Sequence, residues 1–248
     1  RDSRDRGGAL QRAGRVDMLR LFSGLAKLGI KWGEVPCSLR GRFVEVTQGR
    51  PLDGRELPSV LYLLGQLGAT AGQGQGQGKK GNQGIGQGQG QGQAQGQGQR
   101  QGQAQGQHDS TLPAEYVSYL LRVLASDSLL ETFTAQGLCN AVHGLARLEL
   151  RWEDLATVGE PGNDLRGKLF RRAAVLLPEA GKDDLCPLLQ SLGVMRARWE
   201  DLPRVAPALP LVLLRSLIRH MHLFTDREVV NVVWAMGKVN LSYKGMGR

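Results

Sequence analysis

The sequence has few of the features that build β-sheets, membrane spans or disulfide frameworks. Aromatic residues make up 5% of the 248 residues, and the runs of Val, Ile and Thr that are typical of strands are scarce. No apolar run approaches the roughly 20 residues that a membrane-spanning helix needs. Cys37, Cys139 and Cys186 are widely spaced and form no CxxC pair, which favours a reducing compartment. We therefore expect an all-α protein without a membrane span.

One segment has almost nothing apolar to bury. Residues 71–108 consist almost wholly of Gly and Gln, a composition that cannot offset the conformational entropy lost on ordering. This segment is predicted to be a disordered linker. It separates residues 1–70, which hold about two helical units, from residues 109–248, which hold about three.

The charge of the chain is strongly positive. The formal net charge is +9 and the sequence pI is near 9.9, with basic residues spread along the chain. Such an excess favours a polyanionic partner, either a nucleic acid or an acidic membrane surface.

A five-residue motif shows that the chain contains a repeat. RWEDL occurs at residues 151–155 and again at 198–202, each time after a stretch that begins with Leu-Cys. Three further segments align with these two, with the motif's Trp taken as an anchor. The anchors are Trp32, Ala71, Trp152, Trp199 and Tyr243. Once the Gly/Gln segment is removed, the units are about 39–47 residues long, a length typical of helical repeats.

The positions before each anchor have the pattern of an amphipathic helix. Residues fourteen, eleven, ten, seven and four before the anchor are nearly always apolar, which is one stripe of an α-helix. In the last three units these residues are Leu138, Ala141, Val142, Leu145 and Leu148; Leu185, Leu188, Leu189, Leu192 and Met195; and Val229, Val232, Val233, Met236 and Val239. Six before the anchor the residue is always small, which would let a second helix approach closely: Ala26, Gly65, Ala146, Gly193 and Gly237.

The same segments carry signals for where the helices begin and end. Thr134 and Thr225 are candidate N-caps, and Gly29, Gly68 and Asn240 stand where a helix ends in a left-handed residue. A second amphipathic stretch precedes each of the later anchored helices. Each unit is therefore predicted to be a helical hairpin, and five stacked hairpins would form an α-solenoid.

The repeat resembles a known family. FTDREVVNVVWAMGKVNL at residues 224–241, LCNAVHGLARLEL at 138–150 and LFSGLAKLGIKW at 21–32 are similar to the octotricopeptide repeats of green-algal organelle proteins and to the related FAST-kinase-like leucine-rich repeats. The second unit lacks the anchoring Trp, and Pro187 stands where the family has Asn. The resemblance implies an α-solenoid that binds single-stranded RNA in an organelle, the chloroplast rather than the mitochondrion, and acts in transcript stabilisation, processing or translation.

The residues twelve, nine and five before each anchor lie about half a turn from the apolar stripe, and we call them the polar face. They are Arg20, Ser23 and Lys27; Ser59, Tyr62 and Gln66; Asn140, His143 and Arg147; Pro187, Gln190 and Val194; and Asn231, Trp234 and Lys238. The cations are candidates for phosphate contacts. The rings are candidates for base stacking, and Asn140 and Asn231 for contacts with base edges.

Two questions stay open from the sequence. The first is which helix of each hairpin faces inward: the first helix is the alternative, with Arg166, Lys168, Arg171 and Arg172 as the basic candidates. Two other functions compete with transcript binding: a scaffold like the HEAT and armadillo proteins that holds a protein segment, and a component of an organelle ribosome that clamps ribosomal RNA. Protein partners in a ribonucleoprotein complex are compatible with all three.

Patterns that suggest chemistry have simpler explanations. Cys139 and His143 lie four apart, but Cys186 occupies the equivalent position with Gln190 as its companion, which indicates a small residue at a helix contact rather than a metal site. The Glu-Asp pairs of RWEDL follow a helix end and suit the start of the next turn. We expect no enzyme, no catalytic residues, no metal and no cofactor.

Overall fold

The computed structural model describes residues 13–72, 110–160 and 163–241. This part of the chain is mostly helical, and its only strands are β1 (Gly159–Glu160) and β2 (Asn163–Asp164), which form a short antiparallel pair. The all-α prediction is therefore confirmed for these ranges. The predicted disorder of the Gly/Gln segment beyond residue 72 lies outside the described residues, as does the anchor Tyr243.

The described residues belong to one compact unit, formed by the segments on both sides of residues 73–108. In chain order the helices are α1 (Arg15–Lys27), α2 (Cys37–Gln48), α3 (Glu56–Gln66), α4 (Ala114–Leu124), α5 (Asp127–Leu130), α6 (Ala135–Arg147), α7 (Trp152–Ala156), α8 (Leu165–Leu176), α9 (Lys182–Val194), α10 (Leu202–Val205), α11 (Leu209–His220) and α12 (Asp226–Lys238). Single 3-10 turns span Trp32–Glu34, Leu177–Glu179, Trp199–Asp201 and Met221–Leu223.

The helices form two sets that differ in how they pack. We call α1, α3, α6, α9 and α12 the anchored helices because each ends just before an anchor position. We call α2, α4, α8 and α11 the leading helices because each precedes an anchored one. Each anchored helix packs against the next along the chain, and the most extensive helix–helix contacts of the described fold lie within this set. Thr134 and Thr225 cap α6 and α12 as predicted, since their side chains accept hydrogen bonds from the backbone of the first turn.

All five anchored helices end in the same way. The residue three before the anchor position has a positive φ, and the two backbone N–H groups that begin with it donate to carbonyls three and five residues earlier. These two bonds are typical of a Schellman cap. Gly29, Gly68 and Asn240 confirm the prediction, whereas Glu149 and Arg196 adopt the left-handed conformation without being Gly or Asn.

One backbone hydrogen bond recurs at every junction between units. The anchor of each unit donates its N–H to the carbonyl oxygen of the residue four before the next anchor position. The four bonds are Trp32 to Leu67 (2.8 Å), Ala71 to Leu148 (3.0 Å), Trp152 to Met195 (2.8 Å) and Trp199 to Val239 (2.7 Å). The register inferred from the RWEDL motif is therefore also the register of these contacts.

The small residue six before the anchor brings neighbouring helices close together. A Cβ atom added to Gly65 would lie 2.6 Å from the Cβ atom of Arg147, and one added to Gly193 would lie 2.9 Å from that of Lys238. Both distances are too short for a real side chain, so the predicted close approach is confirmed at these two positions. At Gly237 in α12 no described atom lies within 4 Å of such a Cβ.

The three anchoring tryptophans are buried, and Trp32 and Trp152 lie against phenylalanine rings. Each is followed three residues later by a buried apolar side chain: Trp32 by Val35, Trp152 by Leu155, and Trp199 by Leu202. Trp32 and Phe22 have ring centroids 5.8 Å apart, and Trp152 and Phe170 have centroids 4.8 Å apart.

The apolar stripe is buried throughout the third and fourth units. Every stripe residue of α6 and α9 is at most 1% exposed. In α12 the expectation of a buried stripe is wrong for two residues, because Val229 is 41% exposed and Val233 is 62% exposed. The equivalent residues of α9 are covered by α12, whereas no described helix follows α12.

Candidate nucleic-acid interface

The polar face of the anchored helices lies at the surface. All fifteen of its residues are exposed or half-buried. Apart from Arg20 and Pro187, every one of them lines one of three grooves that run between neighbouring anchored helices. The structure therefore brings together residues that the sequence had linked only by their spacing.

The first groove lies between α1 and α3 and extends to α6. It encloses about 390 Å³ and is lined by Lys27, Tyr62 and Asn140 together with the hydroxyls of Ser23 and Ser59. Tyr62 is 38% exposed, so part of its side chain is accessible to a ligand. The volume falls within the range of roughly 300–1,000 Å³ that small ligands occupy in proteins.

The second groove lies between α6, α9 and α12 and encloses about 400 Å³. His143 and Arg147 line it from α6, and Asn231 and Trp234 from α12. Trp234 remains 46% exposed although the Nζ atom of Lys238 lies 5.5 Å from its ring centroid. The groove thus combines a flat ring, an amide and a cation, which are the groups that bind unpaired nucleotides.

A third, more basic groove adjoins the second at the end of α9. Arg196 and Arg198 line it together with Lys238 and Trp234. The sequence prediction missed the two arginines, although a signal for Arg198 was present. A cation stands immediately before each Trp anchor, as Lys31, Arg151 or Arg198, and all three are exposed.

The polar face contains cations and no acids. None of its fifteen residues is Asp or Glu. The acidic residues of the anchored helices all lie near the helix starts, where their charge interacts favourably with the positive end of the helix dipole. They are Asp17, Glu56, Asp183, Asp184, Asp226 and Glu228. Arg20 and Lys27 form no salt bridge with any residue in the described ranges. A phosphate would therefore meet no acidic side chain of this face.

The basic residues of α8, the alternative site, contact the protein itself. Arg172 donates hydrogen bonds to the carbonyl oxygens of Glu131 and Phe133. Arg171 donates to Asn163, at 3.0 Å.

Lys168 and Arg166 are engaged in the same way. Lys168 binds the carbonyl of Ala125 and the carboxylate of Asp127. Arg166 pairs with Glu153 and lies over the Trp152 ring. These contacts join neighbouring units and use the donors that a phosphate would need.

His143 is the titratable group of the polar face whose environment changes its pKa. Burial lowers the pKa of His143 below its ordinary value, and the nearby Arg147 lowers it further. The imidazole is therefore neutral near pH 7. Its ring lies 5.7 Å from that of Tyr62, so it stands between the first and second grooves.

The two buried cysteines have the surroundings of packing residues. Cys139 and Cys186 are 2% and 6% exposed, and burial raises the pKa of each thiol, that of Cys186 to about 11. Among the described residues no three His, Cys, Asp or Glu side chains are placed to hold a metal ion. Within the same ranges no helix has both the length and the apolar character to cross a membrane.

Comparison with known sequences does not identify the chain. No protein-family model and no curated protein matches it. The resemblance to octotricopeptide repeats is therefore a prediction that depends on the residues quoted for it.

Proposed function

We propose that the chain is an α-solenoid that binds single-stranded RNA across the grooves of its anchored helices. The proposal depends above all on the polar face, because residues identified by their spacing alone line adjoining grooves. The side chains that line these grooves include cations, aromatic rings and amides but no acids. Cations that bind phosphates provide affinity, rings stack on bases, and amides bind base edges. The repeated junction hydrogen bond and the repeated helix caps support the solenoid.

We infer the direction of curvature from the packing. Neighbouring anchored helices approach closely through Gly65 and Gly193, and α3, α6, α9 and α12 contact one another more extensively than neighbouring leading helices do. A stack of hairpins curves towards the side whose helices are closer together. The anchored helices would then line the concave surface, which is where solenoids bind extended ligands.

The biological role that we propose comes from the family resemblance. The chain would act in an organelle, the chloroplast rather than the mitochondrion, by occupying a transcript and so controlling its stability, processing or translation. Binding alone would suffice for this role, without catalysis. A place in an organelle ribosome would use the same surface on ribosomal RNA.

The rival protein scaffold has less support. Acidic residues of the RWEDL motifs, which a basic protein segment would need, contact their own neighbours: Asp154 accepts a hydrogen bond from the backbone of Arg151, and Asp201 pairs with Arg204. The net positive charge of the chain favours a polyanion instead.

Fluorescence anisotropy of the full chain tests the proposal. The ligands are a mixed-sequence single-stranded RNA and, as a control, double-stranded DNA, each titrated across a salt series. We expect tighter binding to the RNA, and an affinity that falls steeply as salt rises. A folded, helical protein without preference for the RNA would contradict the proposal and favour the scaffold.

A further inference from the structure

A hydrogen-bond chain crosses from α6 to α9 beneath the second groove. The Nδ1 atom of His143 lies 3.3 Å from the hydroxyl oxygen of Ser191. That hydroxyl in turn lies 2.6 Å from the carbonyl oxygen of Pro187, to which it donates. Ser191 is 1% exposed, so water does not compete for these contacts.

These two hydrogen bonds determine which ring nitrogen of His143 carries the proton. A serine hydroxyl has one proton, and the short contact with Pro187 uses it. The hydroxyl oxygen can therefore only accept a hydrogen bond from His143, so the proton of the ring is on Nδ1. A neutral imidazole has one N–H, and its Nε2 atom is then left with a free lone pair.

The Nε2 atom is accessible and has no partner in the described part of the chain. No hydrogen bond joins it to a described residue. The atom is also not buried. His143 lines the second groove beside Arg147, Gln190 and Asn231. Arg147 provides only donors, and the amide groups of Gln190 and Asn231 provide both donors and acceptors, so His143 adds a ring acceptor beside a cation.

We propose that Ser191 positions His143 so that its Nε2 atom accepts a hydrogen bond from bound RNA, given by a base amino group or a ribose 2′-hydroxyl. This inference rests on the proposed function. It assigns to His143, a residue of the same surface, a role in the specificity for RNA groups that donate a hydrogen bond. A phosphate oxygen carries no proton and would be repelled by this lone pair. The position nine before the anchor would thus contact bases or sugars in the third unit, while Arg147 contacts phosphate.

The proton position is measured without RNA. Two-bond 1H–15N correlation spectra of the histidines distinguish a protonated ring nitrogen from an unprotonated one, and the missing signals of His143→Phe assign those of His143. At a pH above the ordinary pKa of histidine we expect the proton on Nδ1. In Ser191→Ala we expect it to move largely to Nε2, the form that free histidine prefers. A proton on Nε2 in the unaltered chain would overturn the inference.

The ligand contact is measured by anisotropy with short single-stranded oligonucleotides. Oligo-A, oligo-C and oligo-U distinguish base amino groups, because uracil has none, and DNA versions of the first two test the 2′-hydroxyl. His143→Phe keeps an aromatic ring but removes both ring nitrogens. Ser191→Ala leaves the imidazole in place but removes the hydroxyl group that positions it. His222→Phe makes the same change at an exposed histidine outside the three grooves, and it is the matched control that should change neither preference. Circular dichroism confirms that each variant is folded.

The outcomes separate the two sources of the donor. A preference for oligo-A and oligo-C over oligo-U that falls about fivefold in His143→Phe, and less in Ser191→Ala, identifies a base amino group. A similar fall in the preference for RNA over DNA identifies the ribose hydroxyl. If the chain binds RNA and His143→Phe changes neither preference, the inference is wrong and the proposed function stands. If the folded chain binds no single-stranded RNA, the proposed function fails as well.

Discussion

The backbone N–H of Ala71 donates a 3.0 Å hydrogen bond to the carbonyl oxygen of Leu148, across more than seventy residues of sequence. The same bond joins adjacent units at the three other junctions. Beside it, Thr70 and Thr111 form an isolated parallel bridge, so the described residues on the two sides of the Gly/Gln segment lie next to each other. The Gly/Gln segment therefore interrupts the sequence of the second junction without changing the contact that defines it.

Gly144 should be the glycine least tolerant of substitution. An added Cβ atom would lie 2.4 Å from the backbone carbonyl carbon of Leu61, and backbone atoms cannot move aside. We expect Gly144→Ala to lower the free energy of unfolding by about 2–3 kcal/mol. Urea denaturation followed by circular dichroism measures the change.

Gly24 provides the matched control because it occupies the equivalent position in α1. A Cβ atom there has nothing within 4 Å, so Gly24→Ala should stabilise the helix by about 0.5–1 kcal/mol. Equal effects of the two substitutions would show that α3 and α6 do not approach as described.

Two helix caps should be more stable with glycine than with any other residue at the left-handed position. Arg196 has a φ of 63°, a conformation that costs a non-glycine residue about 1 kcal/mol or more, and Gly68 has a φ of 66°. We expect Arg196→Gly to raise the free energy of unfolding by about 0.5–1 kcal/mol and Gly68→Ala to lower it by about 1 kcal/mol. Thermal unfolding of both variants tests this, and a loss of stability in Arg196→Gly would contradict the shared cap.

Glu228 should stabilise the fold only while it is ionised. Its carboxylate accepts hydrogen bonds from the backbone and hydroxyl of Thr225 and lies 3.4 Å from the Nζ atom of Lys182. Mainly the backbone hydrogen bond of Thr225, and then its hydroxyl, lower the pKa of Glu228. A carboxyl whose pKa is lower in the folded than in the unfolded state stabilises the fold above its unfolded pKa, and this contribution is lost as the pH falls through the folded pKa.

We therefore expect Glu228→Gln to lower Tm near pH 7 and to lower it less near pH 3, because protonation of Glu228 at acidic pH reduces the difference in charge between the two proteins. Glu179→Gln, at an exposed position in a 3-10 turn, serves as the control for a general loss of negative charge. The same decrease in Tm at both pH values would mean that shape, not charge, accounts for the effect.

Trp234 should contribute to RNA binding through stacking. Its ring is 46% exposed in the second groove, and a base stacked on an aromatic ring contributes about 1–3 kcal/mol. We expect Trp234→Ala to weaken binding of single-stranded RNA by about tenfold or more. Val233→Ala removes an exposed apolar side chain from the same helix and should leave the affinity nearly unchanged. A matching loss in both variants would indicate a general defect of α12.

The sequence predicted the features that depend on local pattern. The apolar stripe, the small residue at Gly65 and Gly193, and the N-caps at Thr134 and Thr225 all follow from helix geometry and backbone hydrogen bonding. The caps at Glu149 and Arg196 escaped prediction because neither residue type favours the left-handed conformation. In both units the residue immediately before the left-handed one accepts the junction hydrogen bond.

Burial and contacts that depend on a neighbouring helix could not be predicted from the residue type and its position in the repeat. Val229 and Val233 have the same sequence signal as their buried counterparts in α9, and they differ only in having no described helix against them. Arg172 and Arg147 are both helical arginines. Only the tertiary structure shows that Arg172 donates to two carbonyl groups of the neighbouring unit, whereas Arg147, within the described ranges, donates only its Nε–H, to the carbonyl of Gly65, and lines a groove.

The most direct test compares charge reversal on the two sets of helices in the full chain. Arg147→Glu with Lys238→Glu alters the anchored helices, and Arg171→Glu with Arg215→Glu makes the same change in charge on exposed residues of the leading helices. Affinity for single-stranded RNA is measured by anisotropy across a salt series. We expect the first pair to weaken binding roughly tenfold or more and to reduce the slope of log affinity against log salt by about 1.4, while the second pair changes little. Loss of binding only in the second pair, or equally in both, would contradict an interface on the anchored helices.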